Sequence, residues 1–73
     1  MDINVLIVQD EDESKESFAY RKNVTLKLAE AGWSLNPMTC IVLSRCYINR
    51  QRYSNKYDDG VEVLLDQIDQ LLK

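Results

Sequence analysis

The sequence has no histidine, and among its 73 residues there are only two glycines, one proline and two cysteines. Without histidine there is no imidazole to act as a general base, and no cysteine or serine has an evident activating partner nearby in sequence. No glycine-rich loop is present to hold a phosphate group. The sequence therefore predicts a protein that is not an enzyme and that uses no cofactor.

Long apolar runs are also missing. The longest, at 5–8 and 40–43, contain four residues each, whereas a membrane-spanning helix needs about 20. The N-terminal residues lack the basic flank and the small-residue cleavage site of a signal peptide. We expect no membrane span and a location in the cytoplasm.

The two cysteines, Cys40 and Cys46, are too widely spaced to form a disulfide within one regular element. On a helix they would lie ~9 Å apart and on a strand ~20 Å apart, whereas a disulfide needs a Cα separation of about 5.5 Å. Two cysteines without histidine also fall short of the four ligands of a structural zinc site. The sequence predicts no metal site, and both thiols are expected to act as small hydrophobic side chains.

The net charge of −3 hides a segregated pattern. Residues 1–17 carry six acids and one base, residues 18–57 carry seven bases and one acid, and residues 58–73 carry five acids and one base. Such segregation marks either separate binding faces or a fold in which the acidic ends neutralise the basic middle. We expect self-neutralisation.

The length is that of one domain, residues 1–73, and its 45% apolar content is enough for a compact core. The Val- and Ile-rich residues 1–9 are typical of a strand. A helix is expected to begin near residues 12–17 and to continue through 18–31, ending at Gly32. Most even-numbered residues of this stretch are also apolar, which is the pattern of a strand.

Residues 39–48 give conflicting signals. Asn36 followed by Pro37 favours a helix start, whereas the β-branched and aromatic content of 39–48 favours a strand, and on a helical wheel its apolar residues fall on every side. We expect a strand. The last segment is an amphipathic helix capped by Asp58 or Asp59, with Leu64, Leu65, Ile68 and Leu71 facing the core and Val63 exposed. The predicted fold is α+β, in the order β-α-β-α, with two helices packed on a small sheet.

The apolar run before the acids of residues 10–13, together with the sequence LAEAGW at 28–33, resembles the beginning of a two-component receiver domain. In that family an acid pair after the first strand helps to hold a metal ion, and a later aspartate accepts a phosphoryl group. Here Gln9 stands at the first acid position and Asp10 at the second, and no apolar strand ending in aspartate follows Trp33. We expect neither phosphoryl transfer nor metal binding, and we interpret the acidic run as a solvated loop and helix cap.

Residues 45–57, here named the basic–aromatic segment, alternate arginine and lysine with tyrosine. Arginine can pair with phosphate and tyrosine can stack on bases, so this segment raises nucleic-acid binding as an alternative function. Its candidate contacts are Arg45, Arg50, Arg52 and Lys56. Residues 28–45 also suit a helix-turn-helix if 39–48 is helical, although Lys27 occupies a position that is usually apolar in that motif.

Protein binding is the function we expect from the sequence. A small acidic domain with exposed aromatic residues and an amphipathic terminal helix resembles, in general character, the short regulators and inhibitors carried by phages and plasmids. The partner is an unidentified protein, and association with a second copy stays open. The predicted contacts are Tyr47, Tyr53, Tyr57, Glu62, Asp66 and Asp69.

Overall fold

Helices make up all the regular structure of residues 3–33 and 36–73, which are the parts of the chain that the computed structural model describes. A one-turn helix, α1 (Ile3–Leu6), precedes three longer helices, α2 (Lys15–Glu30), α3 (Pro37–Tyr53) and α4 (Asp59–Leu72). Because these described residues contain no strand, the expected α+β fold is wrong. None of the described helices is both long enough and apolar enough to cross a membrane.

Residues 39–48, expected as a strand, lie inside α3. The helix begins as the Asn-Pro pair indicates: the Asn36 side chain accepts a hydrogen bond from the backbone amide of Met38 at 3.0 Å, and Pro37 occupies the first turn. Helical and strand propensities differ by less than about 1 kcal/mol per residue, so packing can override the β-branched composition. The capping signal was the better guide here.

The position of α3 explains why its apolar residues surround the helix axis. α3 contacts α1, α2 and α4, so several of its sides are covered by other helices. Cys40, Tyr47 and Ile48 join the central core, while Ile41 is buried outside that cluster. A helix covered on several sides loses the single apolar stripe by which an amphipathic helix is recognised.

The strand expected at residues 1–9 is also wrong where the structure describes it. Ile3–Leu6 forms α1, residues 7–10 have no regular structure, and residues 1–2 lie outside the described part of the chain. A strand needs a second strand to satisfy its backbone hydrogen bonds. With 39–48 helical, no such partner was available within the described residues.

The helix expected at residues 18–31 is confirmed as α2. Ser14 caps its start by accepting a hydrogen bond from the amide of Ser17 at 3.1 Å. At its end Gly32 adopts φ +81°, and the amides of Gly32 and Trp33 donate to Ala29 O and Leu28 O, both at 3.1 Å. This pair of bonds is the Schellman motif, in which glycine adopts the left-handed conformation without strain from a Cβ atom.

α2 and α3 pack against each other as an antiparallel hairpin. Three hydrogen-bonded pairs join them in opposite sequence order, namely Ser17 with Arg52, Tyr20 with Gln51 and Thr25 with Ser44. In a helix-turn-helix the second helix crosses the first at a steep angle, at ~90–120°. Because α2 and α3 pair along their lengths, the helix-turn-helix alternative for residues 28–45 is wrong.

α4 completes an antiparallel three-helix arrangement, because Glu62 and Asp69 bind Arg50 and Tyr47 of α3 in reverse order. The fully buried residues of the common core come from all three helices: Val24 and Leu28, Cys40, and Leu65 and Ile68. The amphipathic helix expected for the last segment is therefore confirmed as α4. Asp58 caps this helix by accepting a hydrogen bond from the amide of Val61 at 3.0 Å.

The expected buried face of α4 is half right. Leu65 and Ile68 are fully buried, whereas Leu64 and Leu71 are 36% and 40% exposed on a flank of the helix. Val63 is exposed, as expected. The core-facing stripe of α4 is thus narrower than the run of leucines suggested.

Ser54 provides a stability prediction. It ends α3 with φ 54° and ψ 30°, a left-handed conformation that costs a residue with a Cβ atom about 1–2 kcal/mol. Glycine at this position would avoid that cost, but part of the gain in stability is offset by the extra freedom of glycine in the unfolded chain. Ser54→Gly should therefore stabilise the fold by ~0.5–1 kcal/mol, which raises Tm by several degrees. Asn55→Gly is the control, since Ser54 is the one non-glycine residue with positive φ in the described chain. Equal effects of the two variants on Tm would contradict the prediction.

Candidate functional site

The basic–aromatic segment occupies the second half of α3 and the connection to α4. A helix distributes successive side chains around its axis, so residues that alternate in sequence do not share one surface. The structure accordingly separates the arginines and tyrosines that the sequence groups together. Each has to be placed individually.

Tyr47, a predicted binding residue, lies in the core. Its side chain is 4% exposed, and its hydroxyl donates a hydrogen bond to Asp69 Oδ1 at 2.9 Å. Burial, reinforced by the Asp69 carboxylate, raises the pKa of Tyr47 to about 12. The hydrogen bonds from Tyr47 and Lys73 lower the pKa of Asp69. Tyr47 and Asp69 therefore hold α4 against α3.

The other two tyrosines of the segment differ in exposure. Tyr57 is half-buried and packs against the core from the connection between α3 and α4. Tyr53 is 69% exposed at the end of α3. Of the three tyrosines predicted to bind a partner, Tyr53 is the most exposed.

Arg50 is bound by two carboxylates of α4. Its Nη1 donates to Glu62 Oε2 at 2.7 Å and to Asp66 Oδ1 at 2.9 Å. These hydrogen bonds raise the pKa of Arg50 above its ordinary value. Glu62 and Asp66 were both predicted to bind a partner protein, and Arg50 was a candidate phosphate contact. In the fold Arg50 binds both Glu62 and Asp66.

Arg45 also has a carboxylate partner. Its Nη1 and Nη2 donate to the two carboxylate oxygens of Asp10, each at 3.1 Å, and both side chains remain more than 40% exposed. Arg52 differs, because its described partner is the Ser17 hydroxyl, at 2.9 Å. Lys56 is exposed in the connection to α4.

The most buried ion pair joins Arg21 of α2 to Glu13. Arg21 Nε and Nη2 donate to the two Glu13 oxygens at 3.0 and 2.9 Å, and Nη2 also donates to Val8 O at 2.7 Å. The side chains are 4% and 11% exposed. The hydrogen bond from Arg21 lowers the pKa of Glu13 to about 2 and raises the pKa of Arg21.

Within the described residues, each arginine ion pair joins the basic middle of the chain to one of its acidic ends. Asp10 and Glu13 come from the N-terminal acids, and Glu62 and Asp66 from the C-terminal ones. The expected self-neutralisation is confirmed for Arg21, Arg45 and Arg50. The other two cations of the basic–aromatic segment, Arg52 and Lys56, have no carboxylate partner among the described residues.

The acids that resemble a receiver site form a compact turn. Gln9 Nε2 donates to Glu13 O at 2.8 Å, and the amide of Asp10 donates to Glu13 Oε1 at 3.1 Å. The turn connects α1 to α2, so these acids do not follow a strand. In residues 3–33 and 36–73 no group of three or more cysteines and acids is arranged to hold a metal ion.

A surface of which the sequence predicted only Tyr53 runs along α3. Met38, Val42 and Tyr53 are 51%, 53% and 69% exposed, and their helical spacing places them with half-buried Asn49 on one side of the helix. We name these four residues the outer face of α3. It carries no charged residue of its own.

A small cleft borders the outer face, between α3 and the first turns of α2. Its volume is about 140 Å³. We name it the arginine cleft; its lining residues are Glu13, Ser17, Arg21, Arg45, Ile48, Asn49 and Arg52. Three arginines and one glutamate give it a positive charge.

A second, more open cleft of about 310 Å³ lies where α2, α3 and the end of α4 meet. Tyr20 and Gln51 line it and bind each other, with the tyrosine hydroxyl donating to Gln51 Oε1 at 3.0 Å. Tyr47 and Asp69 line the other side and are likewise paired. The polar groups of this cleft are therefore largely engaged with one another.

The outer face of α3 and the arginine cleft were missed because they depend on the helical state of residues 39–48. As a helix, positions 38, 42, 49 and 53 share a side, and 45 and 52 border it. Read as a strand, the same residues alternate between two faces. The signal that could have found the site is the Asn36-Pro37 helix start.

No family model, curated protein or solved structure matches this chain significantly.

Proposed function

We propose that this chain is a small, non-enzymatic regulatory or inhibitory protein of the cytoplasm that acts by binding another protein. The observation that carries the proposal is the outer face of α3. Met38 and Val42 lie one turn apart, and each exposes about half of its side chain. Apolar side chains grouped at a surface are typical of protein interaction sites.

The arginines support protein binding over nucleic-acid binding. A protein that binds a nucleic acid needs several cations free to contact successive phosphates. Of the four candidates, Arg45 and Arg50 are neutralised by Asp10, Glu62 and Asp66. Nucleic-acid binding remains the second candidate function, because Arg52 and Lys56 have no carboxylate partner in the described chain.

The proposal predicts that short peptides can be selected for binding to the outer face. A phage library of random 12-residue peptides would be panned against the immobilised 73-residue protein. We expect enrichment of related sequences whose affinity falls at least tenfold in Val42→Asp, because the new carboxylate must lose its water when the peptide binds.

Val63→Asp on α4 is the matched control, since it makes the same change at a helical valine that is 55% exposed, compared with 53% at Val42. The affinity of the Val63→Asp variant for the selected peptides should stay within about twofold of that of the unmodified protein, a change of under about 0.5 kcal/mol. Circular dichroism would verify equal helix content in both variants. Failure to enrich any peptide, or equal losses in the two variants, would contradict the proposed function.

A further inference from the structure

Three hydrogen-bonding side chains lie on or beside the outer face on successive turns of α3. Arg45, Asn49 and Arg52 follow one another at intervals of four and three residues, which places them in one row along the helix. All three line the arginine cleft. The Ser17 hydroxyl, from the first turn of α2, lies on the opposite wall.

The donors of this row are unequally engaged within the fold. Arg45 gives two hydrogen bonds to Asp10, but both side chains are more than 40% exposed, and ion pairs as exposed as this one add little to stability. Arg52 gives one hydrogen bond to a neutral hydroxyl, so most of its five N–H groups face solvent. The cleft thus presents an arginine that has no carboxylate partner among residues 3–33 and 36–73.

The size of the cleft limits what can enter it. Its 140 Å³ corresponds to between four and five water molecules at ~30 Å³ each. A carboxylate on a short side chain fits this space, and arginine binds a carboxylate through two parallel hydrogen bonds.

The surroundings of the cleft indicate where the carboxylate comes from. Met38 and Val42 are aliphatic, and they suit apolar side chains of a protein segment. Binding of single-stranded nucleic acid relies on aromatic rings that stack on bases, and Tyr53 is the one aromatic residue on the outer face.

We propose, building on the proposed function, that the partner of the outer face is an acidic amphipathic segment of another protein. Its apolar side chains lie along Met38, Val42 and Tyr53, and one carboxylate enters the arginine cleft to bind Arg52. A second acid, about 10 Å further along the segment, reaches Arg45 across the seven-residue interval between the two arginines.

The peptides selected against the protein test this inference directly. We expect them to combine aspartate or glutamate with apolar residues, and to lose affinity at least tenfold in Arg52→Ala. Lys56→Ala is the matched control, because it removes one positive charge from an exposed position in the adjacent connection. Its affinity should change less than twofold.

A charge swap distinguishes a direct contact from a general effect of charge. Arg52→Glu should abolish binding of the acidic peptide, and replacing the critical acid of the peptide with lysine should restore binding to this variant but not to the unmodified protein. The swap also controls for misfolding, since a misfolded variant would not recover.

Other outcomes of the same selection would overturn the inference. Peptides that depend on Val42 but show no excess of acids, or that bind Arg52→Ala at full strength, would sink the acidic partner and leave the proposed function standing. Failure to select any peptide would sink both. Tighter binding of a single-stranded oligonucleotide than of any peptide, lost in Arg52→Ala, would assign the cleft to phosphate instead.

Discussion

Replacing Ile68 with alanine should lower the free energy of unfolding by about 2–5 kcal/mol. Ile68 is fully buried in the core shared by α2, α3 and α4, so the substitution removes buried apolar surface and leaves a cavity. A domain of this size has a total stability of only ~5–10 kcal/mol. A urea titration followed by circular dichroism would measure the loss.

Leu71→Ala is the appropriate control for that measurement. Leu71 lies on the same helix but is 40% exposed, so its removal should cost clearly less than that of Ile68. An Ile68→Ala loss no larger than that of Leu71→Ala would contradict the placement of the core-facing stripe of α4.

Replacing Glu13 with glutamine should be comparably destabilising, by ~3–5 kcal/mol, because it leaves the buried charge of Arg21 without its partner. Arg21 is 4% exposed and also binds Val8 O, so this residue connects α2 to the N-terminal segment. Asp10→Asn is the matched control. It breaks a bidentate pair with Arg45 that is more than 40% exposed, and it should cost less than about 1 kcal/mol.

The same pair predicts how stability depends on pH. The pKa of Glu13 falls from its ordinary value of 4.5 to about 2 in the folded protein. The unfolded chain therefore takes up the proton first, and stability that is fully present above pH 4.5 is lost as the pH falls toward 2. At ~1.4 kcal/mol per pKa unit, this loss is at most about 3.5 kcal/mol.

Urea titrations between pH 2 and 6 would measure this dependence. The Glu13→Gln variant should have a flatter pH profile than the unmodified protein, whereas Asp10→Asn should keep most of the dependence. Parallel profiles for Glu13→Gln and the unmodified protein would show that Glu13 is not the group responsible.

The sequence predicted those helices whose ends or faces are marked by local chemistry. Ser14 and Gly32 bracket α2, and Asp58 begins α4, because caps act through backbone groups within a few residues. α3 was not predicted because its apolar residues pack against several neighbouring helices. That arrangement is a property of the tertiary packing, and no window of adjacent residues contains it.

For the candidate site, the sequence predicted the pattern of charge and named Arg45, Arg52 and Tyr53 as contacts, but it did not predict how these residues are grouped. The opposition between acidic ends and a basic middle could be seen in the sequence, but not the individual partners. Asp10 and Arg45 lie 35 residues apart and Arg21 and Glu13 only eight, yet both pairs form. Tyr47 and Tyr53 belong to the same predicted segment, and the direction of each side chain on α3 places Tyr47 in the core and Tyr53 at the surface.

We propose that the basic–aromatic segment serves the fold and protein binding rather than nucleic-acid binding. The most direct test is fluorescence anisotropy of a labelled single-stranded oligonucleotide of about 20 nucleotides, titrated with the protein at ~50 and ~200 mM salt.

The variant for this titration is Arg52→Ala with Lys56→Ala, which leaves the structural pairs of Arg45 and Arg50 intact, and the control is Lys15→Ala with Lys22→Ala. We predict no binding tighter than about 10 μM at physiological salt, within the ordinary non-specific range, and no difference between the two double variants. Submicromolar binding that weakens steeply with salt and is lost only when Arg52 and Lys56 are replaced would contradict the claim.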